Sequence, residues 1–102
     1  TDIILVPVGG GGLISGIACA AKLIKPTVKI IGVEPEGAAS ALAAINEDRV
    51  VSLNEAVTIA DGTAVKTIGK TPFEYIKQYV DGIITVSDYE LMAAFLVFHL
   101  LH

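Results

Sequence analysis

Residues 2–26 read DIILVPVGGGGLISGIACAAKLIKP, and this segment sets the architecture of the chain. Residues 2–8 are rich in β-branched side chains and nearly all apolar, which is typical of a strand buried on both faces of a parallel sheet. Four glycines follow, and residues 13–25 then predict a helix that ends before a proline. Residues 28–33 (VKIIGV) predict a second strand. The order of these segments predicts a right-handed β-α-β unit.

The rest of the chain continues the alternation of helices and strands. Residues 38–46 are alanine-rich and predict a helix, whereas residues 50–60 mix β-branched and polar side chains and are assigned mostly to a loop. Residues 83–86 predict a short third strand. Alternation of this kind is typical of α/β proteins, so we expect an open parallel sheet with flanking helices.

Two helices in the second half carry local start signals. Thr71, Pro72 and Glu74 predict an N-cap, a first-turn proline and a capping-box acid. Ser87 and Glu90 have the spacing of a second capping box, at the start of a final helix. We therefore expect one helix before the third strand in the chain and another after it.

Composition limits the classes of function. The chain has 102 residues, 53% of them hydrophobic, and a mean hydropathy of +0.68. A small domain buries only about two thirds of its unfolded surface, so this apolar surplus predicts faces that another segment or subunit covers. Residues 1–102 are therefore expected to be part of a larger domain. The net charge of −4 and the scattered basic residues disfavour nucleic acid and anionic membranes as partners.

Two further features place the chain in a reducing, non-membrane setting. The single cysteine, Cys19, cannot form an internal disulfide and is expected to be a small buried side chain, so we predict a cytoplasmic protein. Residues 3–21 lack charge, but Pro7 and the glycine run interrupt them, so a membrane-spanning helix is not expected.

The glycine run itself predicts a binding site. Backbone N–H groups without a Cβ nearby can converge on an anion, and the positive end of the following helix adds to the attraction, so we expect a phosphate. The alternative is a tight turn with close strand-to-helix packing. Leu13 stands where the dinucleotide fingerprint GxGxxG that starts at Gly11 requires glycine, and Ala64 stands where a P-loop ending at Thr71 requires it. Neither nucleotide motif is therefore present.

Four segments, in order, resemble blocks of fold type II pyridoxal-phosphate enzymes, the threonine dehydratase and serine racemase family. They are VPVGGGGLISGIA at 6–18, GVEPEGAAS at 32–40, TIADGTAV at 58–65 and VDGIITVSDYEL at 80–91. The resemblance implies the tryptophan synthase β-like fold and pyridoxal 5'-phosphate as cofactor. It also implies the cofactor-binding residues, which are Gly9, Gly10, Gly11, Gly12, Leu13 and Gly62.

The same resemblance implies an activity for a larger parent protein. That activity is an ammonia-lyase reaction, which converts L-threonine to 2-oxobutanoate and ammonia or L-serine to pyruvate. The resemblance also implies a role in amino-acid metabolism such as isoleucine biosynthesis, and a homo-oligomer. Serine racemase is the alternative within the family, and a non-catalytic phosphate-binding or interaction module is the alternative of another class. The family's Schiff-base lysine belongs to an earlier segment, and none of the six lysines here lies in its motif. The 102 residues alone are therefore predicted to be inactive.

A metal site is the last candidate. In metal-dependent relatives resembling serine racemase, a glutamate at the position of Glu34 binds a divalent cation with a carbonyl four residues on and an acid two further. Those positions here are Ala38 and Ser40, and a hydroxyl in place of the second carboxylate disfavours a hard cation. The alternative for Glu34 is a helix-capping or loop-anchoring acid. His99 and His102 are spaced for a metal on a helix but are expected to be packed.

Overall fold

A computed structural model describes residues 2–53 and 66–101 and shows a three-stranded parallel sheet. Its strands lie side by side in chain order and are β1 (Ile3–Pro7), β2 (Lys29–Pro35) and β3 (Gly82–Val86). All neighbouring pairs are parallel. The predicted α/β class with an open parallel sheet is therefore confirmed.

The helices alternate with the strands as the sequence predicts. They are α1 (Gly12–Ile24), α2 (Ser40–Glu47), α3 (Lys70–Tyr79) and α4 (Asp88–Leu101), with a 3-10 turn at Glu36–Ala38. The predicted first helix is confirmed to within one residue at each end. In contrast, β2 extends two residues beyond its predicted end, because Pro35 still aligns with Val86 of β3.

The described core lies between one face of the sheet and α1, α2 and α3. Gly32 of β2 shows how close this packing is, since a Cβ built there would lie 2.9 Å from Ile14 of α1 and 2.6 Å from Ile83 of β3. The buried apolar residues of this layer are Val6, Val8, Ile14, Ala18, Val28, Ile30, Ala41, Ala44, Ile68, Phe73 and Ile76.

The opposite face of the sheet carries exposed apolar side chains. Ile3 and Leu5 of β1 are 64% and 62% exposed, and Ile84 of β3 is 47% exposed. Side chains alternate between the faces of a strand, so these residues point away from α1, α2 and α3. Among the described residues, helices cover only one face of β1, so burial of β1 on both faces stays a prediction for the larger protein.

The two predicted start signals have different outcomes. The Ser87–Glu90 capping box is confirmed, since the N–H of Ser87 donates to Glu90 Oε1 at 2.9 Å and the N–H of Glu90 donates to Ser87 Oγ at 3.0 Å. The N–H of Ser87, and after it the Ser87 hydroxyl, hold the pKa of the Glu90 carboxyl below its usual value. The prediction for Thr71 is wrong, because α3 begins at Lys70 with Gly69 as N-cap and no side-chain cap.

Lys22 and Asp81 join the ends of two strands. Lys22 Nζ donates to Asp81 Oδ2 at 2.8 Å and to the carbonyl of Val28 at 2.7 Å, and the same Asp81 oxygen accepts the N–H of Ile30 at 2.8 Å. The hydrogen bond from Lys22, more than the N–H of Ile30, lowers the pKa of Asp81. The side chain of Lys22 is only 18% exposed, so this lysine is a partly buried ion-pair partner and not a solvated surface charge.

Two smaller expectations concern burial and membranes. Cys19 is half-buried rather than buried. Within the described part of the chain, every helix is too short or too polar to cross a bilayer.

Candidate functional site: a glycine loop at the start of a helix

The glycine loop lies where the parallel sheet meets the first helix. It follows the carboxyl end of β1, and its last glycine, Gly12, is the first residue of α1. Ligands of open parallel sheets bind at the carboxyl ends of the strands. The N-terminal end of a 13-residue helix adds partial positive charge at the same place. The position therefore suits an anion.

The N–H groups of the loop have no hydrogen-bond acceptor among the residues that the structure describes. Val8 on one side donates to Val33 of β2 at 2.9 Å, and Ser15 on the other side donates to the carbonyl of Gly11 at 3.0 Å. Between them, no N–H from Gly9 to Leu13 donates a hydrogen bond to any residue in the described ranges. The first N–H groups of a helix have no partner inside the helix, so a ligand or water must satisfy them.

Space is available on one side of the loop. A shallow cavity of about 320 Å³ is lined by Pro7 and residues 9–14. A Cβ built on Gly10 or Gly12 would meet nothing within 4 Å, and Leu13 is 61% exposed. The open main chain and its free amides fit the phosphate group that the sequence predicts.

Gly11 serves a different purpose from its neighbours. Its φ of +98° lies in the left-handed region, and a Cβ there would come within 2.8 Å of Pro72 Cβ and 3.0 Å of Ile68 Cδ1. The close-packing explanation thus applies to Gly11, whereas the ligand explanation applies to Gly10 and Gly12. The sequence alone presented these as competing explanations for the whole run.

The segment that begins α3 holds the loop from behind. The N–H of Gly69 donates to the carbonyl of Gly10 at 3.0 Å. Ser15 Oγ lies 2.5 Å from the carbonyl oxygen of Gly11 and 3.2 Å from that of Pro72. Sequence reasoning missed these contacts. The only local signal was a serine among the apolar residues of α1, four residues after Gly11.

Glu34, the candidate metal ligand, anchors a helix. Its side chain is fully buried, and its two carboxylate oxygens accept the N–H groups of Ala41 and Leu42, each at 2.8 Å. Burial raises the pKa of Glu34, and the two N–H bonds partly oppose that rise. The carboxylate thus satisfies two of the unpaired N–H groups at the start of α2.

The other proposed metal ligands add little to this picture. Ala38 lies in the 3-10 turn, and Ser40 Oγ is buried without a hydrogen-bond partner among the described residues. The described ranges contain no group of three His, Cys, Asp or Glu side chains that could hold a metal ion. The geometry around Glu34 therefore supports the helix-anchoring role. Gly62, Asp61, His102 and the side chain of His99 lie outside what the structure describes.

Comparison with known proteins defines the class to which this loop belongs. Residues 1–99 match the family described as pyridoxal-phosphate dependent enzyme. The chain is 43% identical over 95 residues to the L-threonine ammonia-lyase of Thermotoga maritima, covering 93% of this chain and 24% of that protein. The chain belongs to the family of pyridoxal-phosphate dependent enzymes, whose cofactor is pyridoxal phosphate.

Two solved structures show the same fold. A threonine deaminase from the organism abbreviated T.th. superposes with a TM-score of 0.86 at 41% identity, covering 90% of this chain and 34% of that one. Maize serine racemase superposes with a TM-score of 0.87 at 38% identity, covering 91% of this chain and 29% of that one. The chain thus spans about a quarter to a third of the length of these relatives.

Proposed function

We propose that this chain is the phosphate-binding part of a larger pyridoxal-phosphate dependent ammonia-lyase that acts on L-threonine or L-serine. The observation that carries the proposal is the run of N–H groups from Gly9 to Leu13, which have no acceptor within residues 2–53 and 66–101 and lie beside a cavity at the start of α1. Inorganic anions could accept hydrogen bonds from the same N–H groups. The family's cofactor carries a phosphate group, which is the kind of anion that N–H groups at the start of a helix bind.

The role of this chain in the reaction is placement. When bound, the cofactor supplies an electron sink for loss of the substrate's α-proton and β-hydroxyl group. Gly9, Gly10, Gly11, Gly12 and Leu13 would donate N–H bonds to the phosphate, and the positive end of α1 would add attraction. Gly62 remains a proposed neighbour of the cofactor. The lysine that bonds the cofactor and the groups that contact the substrate are proposed to lie in other parts of the protein.

The names of the relatives support the lyase activity. The Thermotoga maritima protein is an L-threonine ammonia-lyase, and the T.th. protein is a threonine deaminase. By this proposal, L-threonine gives 2-oxobutanoate and ammonia, and L-serine gives pyruvate and ammonia. The enzyme would take a small amino acid as its substrate.

Serine racemase is the second candidate. The similarity to maize serine racemase, with a TM-score of 0.87, supports this candidate at the level of the fold. Both activities begin with removal of the same α-proton, so the phosphate site described above would serve either. The hydrogen bonds of Glu34 to α2 give no support to a cation-dependent form.

The test compares pyridoxal phosphate with pyridoxal, which lacks the phosphate, in the whole protein. We expect wild type to bind pyridoxal phosphate more tightly. We expect Gly10→Ala and Gly12→Ala to reduce that preference about tenfold or more, because each added methyl group obstructs charge-assisted N–H bonds. Gly16→Ala is the matched control, since it makes the same change further along α1 where the built Cβ also meets nothing.

Product analysis then separates the candidate activities. Release of 2-oxobutanoate from L-threonine, or pyruvate from L-serine, supports the lyase, and D-serine from L-serine supports the racemase. Equal affinity of wild type for pyridoxal and pyridoxal phosphate would contradict the assignment of the glycine loop. Binding of the cofactor without turnover of either amino acid would favour a non-catalytic module.

A further inference from the structure

The carbonyl of Gly10 is held from the start of α3, and the carbonyl of Gly11 is held by Ser15 of α1, whose backbone N–H donates to it at 3.0 Å. The N–H of Gly69 donates to the carbonyl of Gly10, and the side chain of Ser15 lies within hydrogen-bond distance of the carbonyl of Gly11. Pro72 of α3 lies against Gly11, because it contacts the position where Gly11 would carry a Cβ. Each carbonyl therefore has a partner that fixes its direction.

A fixed carbonyl also fixes the N–H group that follows it. A trans peptide is planar, and its C=O and N–H point in opposite directions. All described peptide bonds are trans. The bond from Gly69 to Gly10 thus orients the N–H of Gly11, and the contact of Ser15 with Gly11 orients the N–H of Gly12. That second N–H therefore points away from Ser15, out of the N-terminal end of α1.

Ser15 is the side chain that links the three segments. Ser15 is 7% exposed, and its Oγ lies within hydrogen-bond distance of the carbonyl oxygens of Gly11 in the loop and Pro72 in α3. A hydroxyl group has one proton, so it donates to these two acceptors by turns or shares the proton between them. The hydroxyl therefore connects the loop, α1 and α3 at one buried point.

We propose that Ser15 is a positioning residue for the cofactor phosphate, acting through the carbonyl of Gly11 to direct the N–H of Gly12 at the anion. This inference rests on the proposed function of the glycine loop. Ser15 does not touch the phosphate in this scheme. Its loss would leave the carbonyl of Gly11 held by the backbone N–H of Ser15 alone and would remove the link to Pro72, so the peptide between Gly11 and Gly12 would be held less firmly in the productive direction.

The experiment measures the preference for pyridoxal phosphate over pyridoxal in Ser15→Ala, using the whole protein. We expect the preference to fall about fivefold, the equivalent of about 1 kcal/mol for one lost hydrogen bond. The affinity for pyridoxal itself should not change, because pyridoxal makes no phosphate contact. A role in folding alone would lower both affinities together and leave their ratio unchanged.

Three further variants complete the test. Ser15→Thr keeps a hydroxyl group that can bond the carbonyl four residues earlier in a helix, so it should restore the preference. Ser15→Cys keeps the size but offers a weak S–H donor, so it should lower the preference and provides a second arm if the alanine variant does not fold. Ser52→Ala is the control, because it removes a hydroxyl hydrogen bond, to Thr67, in which no atom of the glycine loop takes part.

The outcomes distinguish this inference from the proposed function. If wild type shows no preference for the phosphorylated form, the glycine loop is not the phosphate site and both ideas fail. If wild type shows the preference and both Ser15→Ala and Ser15→Cys retain it, the loop assignment stands and the role of Ser15 is overturned.

Discussion

Replacing Gly11 by alanine should destabilise the protein strongly, whereas the same change at Gly12 should not. The φ of +98° at Gly11 costs a residue with a Cβ about 1–2 kcal/mol. The new methyl group would also lie 2.8 Å from Pro72 Cβ and 3.0 Å from Ile68 Cδ1, and overpacking of this kind costs about 1–3 kcal/mol. The free energy of unfolding should therefore fall by about 2–5 kcal/mol in Gly11→Ala.

Gly12 provides the comparison because its environment differs in each respect. It is the first residue of α1, and a Cβ there would meet nothing within 4 Å. Alanine forms helices better than glycine by up to about 1 kcal/mol, so Gly12→Ala should leave stability unchanged or slightly higher. Gly12→Ala should instead weaken the binding of the phosphate group.

Urea unfolding followed by circular dichroism measures the difference. The whole protein without cofactor should be used, because a bound cofactor would add its own stabilisation to each midpoint. Gly11→Ala should unfold at a clearly lower urea concentration than wild type, with Gly12→Ala at or above wild type. Equal midpoints for the two variants would refute the claim that Gly11 packs against α3 while Gly12 faces open space.

Two further predictions concern buried and paired carboxylates. Glu34→Gln should lower the free energy of unfolding by about 1–3 kcal/mol, because the single oxygen of an amide side chain replaces the two oxygens that accept the α2 N–H bonds. Glu36→Gln is the control, since Glu36 is exposed. Equal urea midpoints for the two variants would contradict the helix-anchoring role. Asp81 has a pKa held below its ordinary value of 3.8 by Lys22, so its contribution to stability is complete above that value and is lost as the pH falls through the lower folded-state pKa. Asp81→Asn should therefore be less stable at neutral pH and lose less stability on acidification, as urea midpoints from pH 7 to acid would show; parallel pH profiles would refute this.

Local signals succeeded where neighbouring residues alone decide the structure. The strand, glycine loop and α1 follow from apolar runs, glycines and a closing proline that act within a few residues of each other. The Ser87–Glu90 capping box is likewise satisfied inside its own helix turn. The predicted cap at Thr71 failed, since Gly69 bonds to Gly10 from the glycine loop and serves as the N-cap of α3. Residues far apart in the chain thus decided that helix start.

The amino-acid sequence by itself determined the order of the elements, the parallel β-α-β arrangement and the place where an anion would meet bare main chain. Those features depend on periodicity and backbone freedom, which are properties of short segments. Only the tertiary structure decided which glycine packs and which glycines remain open, that Glu34 binds the amides of α2, and that Ser15 connects the loop to α3. Each of these depends on contacts between segments brought together by folding, so the sequence could name some of them as alternatives but could not choose between them.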